Sequence, residues 1–351
     1  MNFSKLKWEF LPFWAFYIPI YFYWIWLALR ARAFCFFTAS NPLMELGGFV
    51  GYSKYNVLCQ IPAEFRPKMF FIPAFSAFEQ VLADLKTHQI DFPLIVKPDK
   101  GERGFGVEKF ENDTNNPENN LKNLQNYLQK YNHIALIMQE YIDYELELGV
   151  MYYRFPENPI TTPGNIDSVV QKEFLTVVGD GKSTLEMLFG QHQRSIYHLE
   201  MLKKIHQENL QKIIPKDEKI NLISIGNHSR GTTFLNANNL INKQLIDVFD
   251  GISKQIKGFY FGRYDLRVKS LEDLYLGKNI MIMELNGANS EPAHIYDPNM
   301  SIWSAYKHLF GHWKNLWKIS TQNHTLGVPY VPLFRFVKEF RAAYSERKAE
   351  K

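Results

Sequence analysis

Two short stretches carry residue types that do chemistry with charge. In IMELNGANSEPAHIYDP, residues 282–298, Glu284 and Asn286 stand two apart on an apolar run. On a strand that spacing puts both on one face. In FGRYDLRV, residues 261–268, Arg263, Asp265 and Arg267 alternate with Tyr264, Leu266 and Val268. If the two strands pair antiparallel, Asp265, Glu284 and Asn286 converge. Two carboxylates and an amide oxygen form a hard donor set suited to Mg²⁺, which also keeps water and takes phosphate oxygens. Arg263 beside them supplies fixed positive charge for a phosphoryl group in transfer. Taken alone, the same residues equally suit a salt-bridged strand pair on a sheet surface.

The run FPLIVKPDKGERGFGVEKF, residues 92–110, shifts that balance. Lys97 ends an apolar strand, where its ammonium can reach a phosphate. Gly101, Gly104 and Gly106 then allow a loop whose N–H groups approach phosphate oxygens closely. GDGKST, residues 179–184, is rejected as a phosphate loop of the GxxxxGK[ST] kind, because Thr176 stands where that pattern needs glycine. It reads as a turn and helix start, with Ser183 or Thr184 at the cap and Glu186 in the first turn.

These residues need a scaffold. The chain has 351 residues, enough for two or more subdomains. Its net charge of +4 is spread along the chain, so nucleic acid is not implied. Cys35 and Cys59 form no disulfide framework or zinc motif, and a reducing, cytosol-facing location follows. From about residue 60, short β-rich runs alternate with helical stretches, which makes the class α+β. Helices are expected over LKNLQNYLQKY, 186–212 and 242–257; strands are expected on both sides of 141–146, over 258–268 and before Asn286.

All seven tryptophans fall in 8–26 or 303–317. Phe10 to Leu29 is apolar around its whole circumference, and Arg30 and Arg32 follow it. A helix of about 20 residues reaches roughly 30 Å, enough to cross a hydrocarbon core. Its Trp and Tyr load also suits a shallow or re-entrant interfacial helix. The expectation is a membrane-associated segment over 1–45, with the bulk of the chain on the cytoplasmic face. The run Trp303, Tyr306, Leu309, Phe310, Trp313, Leu316 and Trp317 has helical spacing, and a basic amphipathic helix follows Pro332.

PLIVKPDKGERGFGV, IMQEYIDYELELGV, FGRYDLRV and IMELNGANSEP, in that order, resemble the ATP-grasp superfamily, within the D-alanine–D-alanine-ligase-like group of carboxylate–amine ligases. The likeness covers roughly residues 65–300. It implies two α+β subdomains clasping ATP, here 60–140 and 141–300, with 301–351 as added amphipathic helices. It further implies that Lys97 and the loop of Gly101, Arg103, Gly104 and Gly106 contact the phosphates. Gln139, Glu140, Tyr141 and Ile142 would be the adenine hinge, with Glu147 or Glu145 on the ribose. Asp265, Glu284 and Asn286 would hold Mg²⁺, or Mn²⁺ in its place, and Arg263 would stabilise the transition state. A second phosphate lysine is expected upstream, and Lys68 is the candidate. The family's Rossmann-like first domain has no room here, so D-alanine specificity does not carry over. Outside the nucleotide set, Arg154, His228, Arg230 and Ser290 are candidate substrate residues.

The expected function is ATP-dependent joining of a carboxylate to an amine through an acyl phosphate, on an amphiphilic or lipid-linked substrate at the membrane. The alternatives are a kinase-like phosphotransferase and a membrane scaffold that binds nucleotide without turnover. Oligomeric state and the identities of acid and amine are not encoded in these motifs.

Overall fold

The computed structural model describes residues 8, 11–101, 104–112, 116–156, 163–191, 195, 199–207, 209–222 and 232–348. Arg103, His228 and Arg230 lie outside the described residues.

The aromatic segment folds as α1 (Phe13–Phe16) and α2 (Ile18–Ala31), separated at Tyr17. The helix expected over Phe10–Leu29, with kinks at Pro12 and Pro19, is thus divided next to the second of these prolines, and Phe10 lies outside the described residues. Pro19 has no N–H to donate and its ring crowds the preceding turn, so it sits in the first turn of a new helix. Fourteen residues extend only about 21 Å, short of a bilayer core. Among the described residues no helix is long and apolar enough to cross a membrane. The chain then passes through short 3₁₀ turns to α3 (Lys54–Cys59).

The first sheet and its helices follow as β1 (Met69–Ile72), α4 (Phe78–His88), β2 (Leu94–Pro98), β3 (Glu108–Phe110), α5 (Pro117–Lys130) and β4 (Leu136–Glu140). Strand order is β1-β4-β2-β3, with antiparallel pairing throughout. Phe70, Leu94, Val96 and Met138 meet Val81 and Leu85 of α4 and Leu124 of α5 in one core.

Next come β5 (Leu146–Tyr153) and β6 (Asn165–Glu173). The chain then enters a separate compact unit, residues 172–235. It contains β7 (Thr176–Val178), α6 (Leu185–Gln191), α7 (Leu199–Ile205) and β8 (Lys219–Asn221), with a core that includes Val177, Phe189 and Leu202. Of the helix expected over 186–212, the described residues form α6 and α7. GDGKST is a turn in which Asp180 accepts from the N–H groups of Lys182 (2.8 Å) and Ser183 (2.6 Å), and Thr184 Oγ1 accepts from Met187 N at the start of α6 (3.3 Å).

After β9 (Thr233–Asn236) come α8 (Lys243–Gln255), β10 (Phe261–Val268), α9 (Leu271–Leu276), β11 (Ile280–Asn286), α10 (Ile302–Thr325) and α11 (Leu333–Lys348). The second sheet has the order β11-β10-β5-β6-β9. The first sheet ends at Glu140 and the second starts at Leu146, near the expected division at 140/141; the compact division of the chain instead sets off 172–235.

Leu309 and Leu316 of α10 are buried, while Trp313 and Trp317 pack against the core shared with α2. The tryptophan stripe of α10 is therefore mostly internal, except for Trp303, which is exposed. Asn41 fastens this region to β10. Its Oδ1 accepts from Tyr260 N (2.9 Å) and Phe261 N (3.0 Å), and its Nδ2 donates to Phe261 O (2.9 Å) and Gly47 O (3.0 Å).

Candidate active site

β10 and β11 pair antiparallel with Arg263 opposite Asn286 and Asp265 opposite Glu284. Asn286 Nδ2 donates to Asp265 Oδ2 at 2.9 Å. Arg263 lies along the same carboxylate, Nη2 to Oδ2 at 3.1 Å and Nε to both oxygens at 3.3 Å. The register then slips between Asp265 and Leu266, so Met283 is an extra residue in β11. Its carbonyl accepts from Lys97 Nζ at 2.9 Å. Lys97 reaches this point from β2 because it is the fourth residue of a buried strand, opposite Ile137 of β4. The structure thus brings together Lys97, Arg263, Asp265, Glu284 and Asn286.

The electrostatics follow from burial. Burial lowers the Lys97 ammonium to about 8, although Glu284, Asp99 and Asp265 oppose that shift. Arg263 is also desolvated, yet Asp265 and then Glu284 raise it further above its ordinary value. Two cations and two carboxylates therefore balance. The donors are all hard oxygens and the two acids face each other across paired strands, so the site fits a hard divalent cation. Among the described residues no group of three or more His, Cys, Asp or Glu gathers for a metal. Two acids and an amide fall short of a full shell, which suits a cation shared with phosphate oxygens and water. Asn286 turns its Oδ1 to the hydroxyl of Tyr52 at 2.9 Å, so it must rotate to offer that oxygen to a cation.

The segment between the aromatic helices and α3 supplies residues that the sequence reading missed. Gly48 and Gly287 touch: a Cβ on Gly287 would lie 2.7 Å from Gly48 Cα and from Gly47 O. That contact lays residues 47–52 on the loop after Asn286 and delivers Tyr52. Asp99 Oδ1, two residues beyond Lys97, accepts from Ser53 Oγ (2.9 Å) and Tyr55 N (2.8 Å). α3 is thereby fixed against the glycine loop, and Lys54 Nζ donates to Gly101 O. A signal for Lys54 was present. Ser53 caps α3, and a lysine directly after an N-cap sits at the positive end of the helix dipole, where its charge needs another use. Gly101, Gly104 and Gly106 have φ of 148°, 71° and 62°, which glycine alone adopts readily.

Lys68 is elsewhere. Its backbone pairs with Glu140 and its ammonium points to Gln89 O at the exposed end of α4, 3.4 Å away. In this structure Lys54 rather than Lys68 lies beside Lys97 and the glycine loop. Glu147 is buried and ion-paired to Arg267 (Oε2 to Nε, 3.0 Å). Arg267 also donates to Ile142 O (2.7 Å) and Tyr141 Oη (3.1 Å), bracing the segment expected to be the adenine hinge. Glu145, the alternative ribose carboxylate, is exposed. At the hinge, Glu140 N donates to Lys68 O (3.0 Å) and Tyr141 N to Pro93 O (3.3 Å), while Gln139 is buried.

Two substrate candidates make internal contacts in this structure. Arg154 is buried over the Tyr260 ring with Nη2 on Phe259 O at 3.2 Å. Ser290 gives its hydroxyl to Gly287 O at 2.6 Å. Behind Arg263, Nη1 donates to Glu291 O at 3.1 Å. Burial pushes the Glu291 carboxyl up to about 7 and His312 down to about 3, so that imidazole is neutral.

Neither a family model nor a curated protein matches the chain. Solved structures do match. A bifunctional glutathione synthetase from Pasteurella multocida matches over 76% of this chain and 39% of its own, at 16% identity and a TM-score of 0.38. A D-Ala:D-Ser ligase from Enterococcus faecalis matches over 74% and 61%, at 14% identity and 0.40. A D-alanine–D-alanine ligase from Bacillus anthracis, complexed with ATP, matches over 78% and 64%, at 11% identity and 0.40. The chain spans less than two thirds of the length of each of these three. The site's own geometry carries the functional reading.

Proposed function

We propose that this protein is an ATP-dependent carboxylate–amine ligase of the ATP-grasp type. The observation that carries it is the convergence of Asp265, Glu284 and Asn286 with Arg263 and Lys97 on two paired strands and the end of β2. Asp265, Glu284 and Asn286 are the residues to hold Mg²⁺ or Mn²⁺, which when bound offsets the charge of ATP phosphates. Lys97 and Lys54 bind those phosphates from two sides of the glycine loop. Arg263, held flat against Asp265, offers a guanidinium edge to the transferring phosphoryl group. The adenine lies at the Tyr141–Ile142 hinge, with Glu145 rather than the ion-paired Glu147 on the ribose.

In the reaction, an oxygen of the substrate carboxylate attacks the γ-phosphorus and ADP leaves. The amine then attacks the acyl carbon of the acyl phosphate, loses a proton, and inorganic phosphate departs. Neutral groups behind Arg263, among them His312, keep added positive charge away from the entering amine. Exposed aromatic residues on α2 support the finer reading that the acid or amine is amphiphilic or lipid-linked and that the protein works at the cytoplasmic face of a membrane.

Incubation with ATP, Mg²⁺ and a cell extract containing lipids, followed by phosphate release and mass analysis, tests this. A ligase yields ADP, phosphate and a product lighter than its two parents by one water. A phosphorylated product would instead identify a phosphotransferase, and nucleotide binding without ADP release would identify a scaffold.

A further inference from the structure

On a helix that rests on a water-soluble body, the outward face is ordinarily polar. α2 departs from this. Its inward side, with Ile20, Leu27 and Ala28, is buried against the rest of the chain. The opposite side, extended back through α1, carries Trp14, Ile18, Phe22, Ile25, Trp26 and Leu29, each between 41% and 71% exposed. Steps of three and four residues align them along one face. This is an apolar patch on the order of several hundred Å², the size at which a binding role is expected.

We propose that this face docks, in the plane of the membrane, on an anionic lipid surface. Three features of the chain select that occupant. From Leu11 to Met44 there is no acidic residue, and the only charges are Arg30 and Arg32, both exposed at the end of α2. Arg30 lies between the rings of Trp26 and Trp317, 4.9 and 4.8 Å from their centroids, which keeps a cation at the rim of the patch. Indole and phenol rings beside arginine suit the headgroup boundary, and a helix of about 21 Å is too short to cross but long enough to lie flat. A protein partner is a poorer fit. Interfaces of standard size carry about ten hydrogen bonds, and the side-chain donors of this face are the Tyr21 hydroxyl, the indole N–H groups of Trp14 and Trp26 and the two arginines, a set that equally suits lipid headgroups. The inference deepens the membrane-face reading and is independent of the ligase chemistry. It replaces an anchor that spans with a surface that docks reversibly.

The test mixes the purified full-length chain, without nucleotide, with vesicles of phosphatidylcholine alone or of phosphatidylcholine with phosphatidylserine. The expected result is co-sedimentation with the mixed vesicles, weakened by salt, with a blue shift of tryptophan emission. Phe22→Asp, at an exposed position, should reduce affinity by more than about ten-fold while far-UV circular dichroism is unchanged. Arg32→Gln should weaken binding to the anionic vesicles by about five-fold and to the neutral ones hardly at all. Should Phe22→Asp not fold, Arg32→Gln alone still decides the charge dependence. Two results overturn the proposal: a protein that stays in the supernatant with both vesicles, or a concentration-dependent dimer that Phe22→Asp dissociates. Vesicle binding by a protein that releases no ADP would leave this inference standing and remove the ligase reading.

Discussion

The paired strands β10 and β11 and the helix α2 depart from ordinary partitioning in opposite senses. In the first region charge is inside: Lys97, Glu147, Asp265 and Arg267 are each less than a tenth exposed. In the second, aromatic and aliphatic side chains are outside. The strand region answers its desolvation with direct partners, because a buried charge left unpaired is costly. Among the described residues the helix has no such internal answer; one of its faces is covered and the other is left to the surroundings. Buried charge that is paired here can exchange partners when a ligand arrives, whereas an exposed apolar face needs a partner from outside the chain. The two regions thus report on different kinds of binding.

The largest expected effect separates them by chemistry. Asp265→Asn, or Glu284→Gln, should lower ADP release by about a thousand-fold, with the fold retained by circular dichroism. Phe22→Asp should leave release unchanged with soluble substrates in the absence of vesicles. If Asp265→Asn keeps full turnover, the strand cluster is a structural ion pair and nothing more.

Within the strand region the two charge pairs should differ from each other. Glu147→Ala leaves Arg267 buried without its carboxylate and should cost about 3–5 kcal/mol of unfolding free energy, read by urea denaturation. Replacing both, as Glu147→Leu with Arg267→Met, should recover most of that loss. If the double variant is stable but has lost nucleotide affinity, Glu147 is a ribose ligand after all, as the resemblance first implied.

The pH dependence sharpens the same distinction. Lys97 titrates near 8 in the folded protein, against 10.5 ordinarily. Its charge on a phosphate is therefore present below about pH 8, and nucleotide affinity should fall as pH rises through that value. The contribution to stability has the opposite sign. Between about 8 and 10.5 the unfolded chain holds a proton that the folded chain has released, so the Lys97 contribution to stability of the nucleotide-free protein rises with pH. Lys97→Arg, whose guanidinium stays charged, should remove the alkaline fall in affinity measured by titration calorimetry.

Much of the strand region was legible before any coordinates. The alternation in FGRYDLRV and the two-residue step from Glu284 to Asn286 place side chains on faces by period alone, and the antiparallel register follows that expectation. The bulge at Met283 was not legible, because a one-residue slip leaves no mark in an apolar run. Nor was the Gly48–Gly287 contact, which depends on two segments far apart in sequence. At α2, composition revealed an apolar helix, but the break at Tyr17 depended on how far Pro19 would be tolerated, which packing decides. Lys54 was passed over in favour of Lys68 for a similar reason. Spacing along the chain says little about which lysine a short helix turns toward a loop.

The smallest effect concerns those two lysines. Lys54 lies at the carbonyl of Gly101 and close enough to Lys97 to help lower its proton affinity. Lys54→Ala should therefore weaken ATP binding by about ten-fold, the scale of one charged hydrogen bond. The loss should shrink as salt is raised, and Lys97 in that variant should titrate higher. Lys68 is exposed and reaches only the Gln89 carbonyl, so Lys68→Ala should change ATP affinity by less than about two-fold. Equal losses for the two variants would mean that Lys68 also reaches the phosphates once nucleotide is bound. The loop of Gly101, Gly104 and Gly106 would then have to move toward the hinge on binding, rather than close over phosphates held where Lys97 and Lys54 now meet.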